Sequence, residues 1–186
     1  MTENQNPKIP TADECMELLK NYGTPAHVVR HCAAVARTAV CLATALNRSG
    51  DCLNEDLIRA AAFLHDIART EPHHGPVGAA YVAEAGYPAV AALIEPHMVY
   101  MPEQPHVIRE QDILCLADRM VKEDRYIGLE ARMAQILEKK KAEPEVCKSI
   151  QSRILQTIKQ RDFLEERIGQ RIDDLAVSWE NQNDSL

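Results

Sequence analysis

Aromatic side chains are scarce in this 186-residue chain, at 4% of the residues, although 46% are hydrophobic. The core must therefore be assembled mainly from Ala, Leu, Val and Ile, which favours close-packed helices. The β-branched alternation that marks strands is nearly missing, and with it the expectation of a sheet protein. No apolar run reads as long enough to cross a bilayer, and the N-terminal MTENQNPKIP is polar, without a signal-peptide pattern. The expectation is a cytoplasmic protein with no membrane partner.

Closely paired cysteines are also missing. Cys15, Cys32, Cys41, Cys52, Cys115 and Cys147 are scattered, which reads as reduced, mostly buried thiols and not as a cysteine zinc site. Positive charge is thin: the formal net charge is −7, and the single basic run is Lys139-Lys140-Lys141. That run reads as a solvated helix end, so nucleic acid is not expected as a partner. There is no P-loop, no dinucleotide-binding glycine pattern and no Ser-His or Cys-His arrangement. An acidic chain that handles phosphates must concentrate positive charge locally, through metal ions and a few arginines.

What is present is helical punctuation. Thr11-Ala12-Asp13-Glu14 is a capping box opening a short helix through Leu19. Thr24-Pro25 offers an N-cap followed by proline at the first helical position. The helix it opens carries Val28, Cys32, Val35, Ala39, Leu42 and Leu46 on one stripe. Asn54 caps the next, with a stripe of Leu57, Ala61, Leu64 and Ala68. Further helices are expected from about His74 to Ala85, from Pro88 to about His97, and from Gln111 through Asp118. Beyond them, Pro144 restarts a pattern with Val146, Ile150, Ile154 and Ile158. A second stripe uses Leu164, Ile168, Ile172, Leu175 and Trp179. These read as long packing helices that close the core or form a homodimer seam.

Polar residues interrupt the apolar pattern at a few points. His31 shares a face with Val28 and Val35, His65 and Asp66 end the run AAAFLHDIAR, and Asp118 shares a face with Leu114 and Val121. Imidazoles and carboxylates are costly among aliphatic side chains unless something compensates them, and a metal ion is the simplest common partner. Adjacent side chains diverge by about 100° on a helix. His65 and Asp66 can reach one site if it lies beside the helix end, and the two oxygens of Asp66 could bridge two metals.

His31, the His65-Asp66 pair and Asp118 resemble the H…HD…D signature of the HD-domain metal-dependent phosphohydrolase superfamily. The resemblance covers roughly residues 24 to 125. It implies an all-α fold, an HD-domain helical bundle, with metals held at its middle. The chain then reads as a single HD domain over 1–186, with a C-terminal helical extension over about 126–180. The stretch His74-Gly75-Pro76-Val77-Gly78-Ala79, followed by His97, resembles the symmetrical diadenosine tetraphosphate hydrolase branch. By that resemblance His31, His65, Asp66 and Asp118 hold one metal, and Asp66 bridges to a second held by His74 and His97. Iron is the first expectation for such a dinuclear centre, with manganese, zinc or another divalent ion as alternatives. Two departures stand out. The connection from Asp66 to His74 is shorter than in that branch. The stretch after Asp118, RMVKEDRYIGLEARM, looks more like HD domains found alone or joined to nucleotidyltransferases.

The expected chemistry is hydrolysis of a phosphate ester or anhydride, in a nucleotide or dinucleoside polyphosphate, by a metal-bound hydroxide. Asp66 and Arg69 are the candidate catalytic residues, and Arg69, Lys122 and Arg125 the candidate contacts to substrate phosphate. Each of the three cations also has a plain reading as a solvated surface charge. His73 is an alternative to His74 as ligand, His27 could support the site, and His106 reads as exposed. Two other functions stay open on the same residues: a diiron oxygenase of the HD type, and a non-catalytic nucleotide-binding regulator.

Overall fold

The computed structural model describes residues 7–101 and 107–183, with side chains described as far as Trp179. His106 lies outside the described residues. The first helix, α1 (Ala12–Tyr22), opens on the expected capping box. The Thr11 hydroxyl accepts from the Glu14 N–H, and the Glu14 carboxylate accepts from the Thr11 N–H. Gly23 ends it with φ 82°, a left-handed conformation that glycine adopts without a Cβ penalty.

The long helix α2 (Ala26–Arg48) is the axis of the molecule. It packs against α3 (Glu55–Leu64), α6 (Glu110–Asp118) and both strands of a small hairpin, as well as α8 and α9, described below. Its start departs from expectation. Pro25 occupies the cap position, and Thr24 makes no cap. The Thr24 hydroxyl instead donates to the Ile67 carbonyl at 2.8 Å, tying the start of α2 to the turns after α3. By length and composition α2 is also apolar enough to cross a membrane, which the sequence reading did not credit. However, 61% of its most apolar window is buried inside the bundle. Alanines explain how that bundle closes: Ala36, Ala39 and Ala43 on α2 and Ala60, Ala61 and Ala62 on α3 are all buried. Small side chains let helix axes approach closely while keeping high helix propensity.

The pair α4 (His74–Glu84) and α5 (Pro88–Ile94) packs together beside α3. Two predicted boundaries move. α3 ends at Leu64, and residues 65–70 form successive tight turns in place of a helix reaching Ala68. α5 stops at Ile94 and does not reach His97, because Pro96 supplies no N–H to continue the helical ladder, although Glu95 before it is still in helical conformation.

After α6 comes a feature the periodicity did not announce, a two-residue-per-strand antiparallel hairpin of β1 (Val121–Lys122) and β2 (Arg125–Tyr126). Such strands are too short to show alternation. The chain then continues through α7 (Leu129–Lys140), α8 (Pro144–Ile168) and α9 (Ile172–Asn183). The second predicted stripe breaks at Gly169 between α8 and α9, with Leu164, Ile172 and Ala176 buried against the core. The first half of α8 stands largely clear, with Val146 and Leu155 exposed.

Candidate metal centre

Five elements bring the six predicted ligands together. His31 comes from the second turn of α2, between the buried Val28 and Cys32. His65 caps α3, and Asp66 follows in the first tight turn. The unwinding of α3 at this point lets both neighbours face one side. His74 is the first residue of α4, His97 lies three residues past α5, and Asp118 is the last residue of α6. His73 holds a left-handed φ of 56° and is exposed, so His74 and not His73 turns inward.

Backbone carbonyls set the tautomers of three histidines. Nδ1 of His31 lies 2.8 Å from the Glu123 carbonyl, Nδ1 of His65 lies 2.8 Å from the Ala62 carbonyl, and Nδ1 of His97 lies 2.6 Å from the Ile94 carbonyl. A carbonyl can only accept, so each Nδ1 carries a proton and each ring turns its Nε2 toward the centre, the atom that would bind a metal. Glu123 offers its carbonyl from the hairpin tip with φ 55°, a conformation rare outside glycine.

Asp66 sits at the middle of this arrangement. Its Oδ1 lies 3.1 Å from His74 Nε2 and 3.6 Å from His97 Nε2. Its Oδ2 lies 3.7 Å from His65 Nε2 and 4.0 Å from His31 Nε2. Two groups of ligand atoms result, His31/His65/Asp66 and Asp66/His74/His97, each compact enough for one ion and sharing Asp66. Asp118 Oδ1 adds to the first, 3.1 Å from His31 Nε2 and 3.6 Å from His65 Nε2.

The donor set fits divalent metal on two observations. Nε2 of His65 is buried without any hydrogen-bond partner, which is costly for a polar atom unless a ligand satisfies it. The Nε2 atoms of His74 and His97 face each other at 3.3 Å, an arrangement that needs a proton or a cation between two lone pairs. Electrostatics agree. Burial would raise the Asp66 carboxyl, but the His65 charge and hydrogen bonds from His74 and His97 outweigh it and hold it far below the carboxylate range. Burial opposes Asp118 in the same way, and the His31 hydrogen bond together with the nearby His65 charge overcomes it. His65 is driven down by burial but raised well above its ordinary value by Asp66 and Asp118.

Glycine makes the second half of the cluster possible. A Cβ on Gly75 would lie 2.8 Å from the Glu95 carbonyl oxygen and 3.4 Å from the His97 ring. One on Gly78 would lie 2.8 Å from a methyl of Ile67, next to Asp66. Both positions need a bare backbone for α4 to close on the centre.

A cavity of about 510 Å³ opens over the cluster, with His31 and Asp66 exposed to it. Arg69 reaches it and places Nε 3.3 Å from Asp66 Oδ2. His27 also lines it, whereas Lys122 and Arg125 do not. Two cations that sequence reasoning missed do line it: Arg30 on α2 and Arg132 on α7. Neither carries a local signal, since each looks like an ordinary polar residue of an amphipathic helix.

A model of the HD domain family matches residues 28–123, just over half of the chain. Over 85 residues the chain is 38% identical to an uncharacterized protein of Methanocaldococcus jannaschii, covering 44% of this chain and 50% of that protein. It is 32% identical over 94 residues to a tRNA (cytidine(56)-2'-O)-methyltransferase of Thermoplasma volcanium, covering 48% of this chain and 26% of that one. It is 28% identical over 144 residues to the enzyme of the same description from Picrophilus torridus, covering 67% and 40%. The chain thus spans half or less of the length of these relatives. No solved structure gives a significant match.

Proposed function

Because this chain belongs to the HD-domain family, we propose that it is a metal-dependent phosphohydrolase acting on a small phosphorylated compound, a nucleotide or dinucleoside polyphosphate. The observation that carries the reading is the sharing of Asp66 between two compact groups of donors, one of which contains the unsatisfied Nε2 of His65. His31, His65, Asp66 and Asp118 would hold one ion, and Asp66, His74 and His97 a second. Imidazole and carboxylate ligands together suit iron, manganese or zinc. Bound divalent ions in such a set supply Lewis acidity and activate water.

The side chains do the rest. The carbonyls of Glu123, Ala62 and Ile94 hold three imidazoles in the ligating tautomer. Arg69 braces Asp66 through Nε, and its side chain is 48% exposed and lines the cavity, where it can neutralise charge on a phosphoryl group. Phosphate binding by Lys122 or Arg125 is not carried into this proposal, since neither reaches the cavity.

The test is anaerobic purification, metal quantification and a phosphate-release screen of nucleotides and dinucleoside polyphosphates with iron, manganese and zinc. The expected result is two ions per chain and metal-dependent phosphate release. Nucleotide binding without turnover under every metal would sink the enzyme reading in favour of a regulatory module. Oxygen consumption without phosphate release would replace it with the diiron oxygenase reading.

A further inference from the structure

Arg132 stands on the first turn of α7, beyond the segment 28–123 that the family shares. It nevertheless lines the cavity over the His/Asp cluster together with Arg30 and Arg69. Those two are engaged: Arg30 Nε lies 3.4 Å from Asp124 Oδ2, and Arg69 Nε lies 3.3 Å from Asp66 Oδ2. The Arg132 side chain has no ion pair or hydrogen bond to any described residue, and its Nε is buried without a partner. With no acceptor among the described residues competing for its guanidinium, Arg132 stands at the cavity wall available to a ligand acceptor.

The surroundings define that ligand. Asp66, Glu123 and Asp124 also line the cavity, so an anion is accepted only where an uncommitted cation outweighs them. The volume, about 510 Å³, exceeds what one phosphoryl group fills and lies in the range of small-molecule sites, roughly 300–1,000 Å³. A planar guanidinium binds phosphate oxygens two at a time.

We propose that Arg132 binds a second phosphate of the substrate, so that this chain prefers nucleotides with two or more phosphates over monophosphates. This rests on the phosphohydrolase reading above, with one phosphoryl group at the His/Asp cluster beside Arg69. It makes the C-terminal extension part of the site and not merely a cover for the core.

Calorimetric titration of the 186-residue chain with ADP and with AMP tests it, since the probes differ by one phosphate. Wild-type protein is expected to bind ADP more tightly than AMP. Arg132→Gln should weaken ADP by about tenfold or more and AMP by less than about twofold, and Arg132→Lys should fall between. Thermal unfolding checks that both variants fold, and the lysine variant alone still reports the graded loss if the glutamine variant does not. Equal weakening of both nucleotides, no weakening, or a wild type that binds neither would overturn the proposal. Phosphate release is measured separately: an ADP preference that depends on Arg132 without turnover supports the site while sinking the hydrolase reading.

Discussion

The bundle from α2 to α6 and the extension from α7 to α9 solve opposite problems with similar helices. In the bundle, alanines draw the helices together, and four buried polar groups, His65, Asp66, His74 and His97, meet at one point, while Asp112 is buried apart from them on α6. In the extension, polar groups face outward and pair locally, as Lys141 does with Glu138 and Lys148 with Glu145. Only Thr157, Gln160 and Leu164 of α8 are buried. Buried polarity is therefore informative in this protein. Around His65 and Asp66 it builds a centre, and between Asp112 of α6 and Gln160 of α8 it marks the clamp that holds the extension to the bundle.

That clamp is centred on Asp112 of α6. Its Oδ1 accepts from the Tyr100 hydroxyl at 2.8 Å and from Gln160 Nε2 at 2.9 Å, and its Oδ2 accepts from the Arg109 N–H at 2.9 Å. Arg119 donates to the Tyr100 carbonyl and to Thr157, and Arg153 donates to the Val99 carbonyl. The segment that leaves His97 is thereby pinned from α6 and α8.

The contrast can be broken most severely at Asp66. Asp66→Ala should reduce metal content and phosphate release together to background, because both groups of donors lose their shared member. Full turnover by that variant would refute the centre. Next in size, Asp112→Ala should cost about 2–4 kcal/mol in urea unfolding, since three donors, with the buried Gln160 among them, lose their acceptor. If the variant unfolds like wild type, the clamp is not what joins the two regions. Gly75→Ala should cost about 1–3 kcal/mol and lower metal occupancy, because its Cβ meets backbone, which cannot rotate away.

Metal removal sharpens the comparison through pH. Asp66 and Asp118 are lowered in the fold, so their contribution is present above the unfolded carboxylate value of 3.8 and is lost as pH falls through the folded values. His65 is raised, so its contribution is complete below 6.5 and is lost as pH rises through its folded value. The chelated protein should therefore have its highest Tm between pH 3.8 and 6.5 and lose stability toward alkaline pH. Metal-loaded protein should hold its Tm there, and identical profiles would argue against ligation by His65. The smallest effect belongs to the outer face of α8: Leu155→Lys, at a side chain 61% exposed, should stay within about 0.5 kcal/mol of wild type. Sedimentation of the same variant reads whether a homodimer uses that face.

Much of the bundle was legible in advance because its signals are local. The Thr11 and Asn54 caps, the stripe on α2 and the inward direction of His31 and Asp118 follow from spacing along one helix. Boundaries were less legible where two rules competed, as at Pro25 and Pro96, or where a helix gave way to turns, as after Leu64. The hairpin, with its strained Glu123 carbonyl on His31, left no pattern in so few residues. Arg30 and Arg132 were invisible as cavity residues because nothing in their neighbourhood along the chain distinguishes them from solvated cations.

By itself, the sequence determined that the protein is helical, that His65-Asp66 ends a buried helix, and that His31 and Asp118 are polar insertions on apolar faces, while His74 and His97 joined the candidates only through a family resemblance. Periodicity and the cost of burying polar groups act over one or two helical turns and need no partner to be read. Only the tertiary structure decided that His74 and not His73 turns inward, that Asp66 stands between two sets of imidazoles, and that α7 brings an unpaired arginine to their cavity. Those outcomes depend on how separate helices approach one another in space, which no local spacing records.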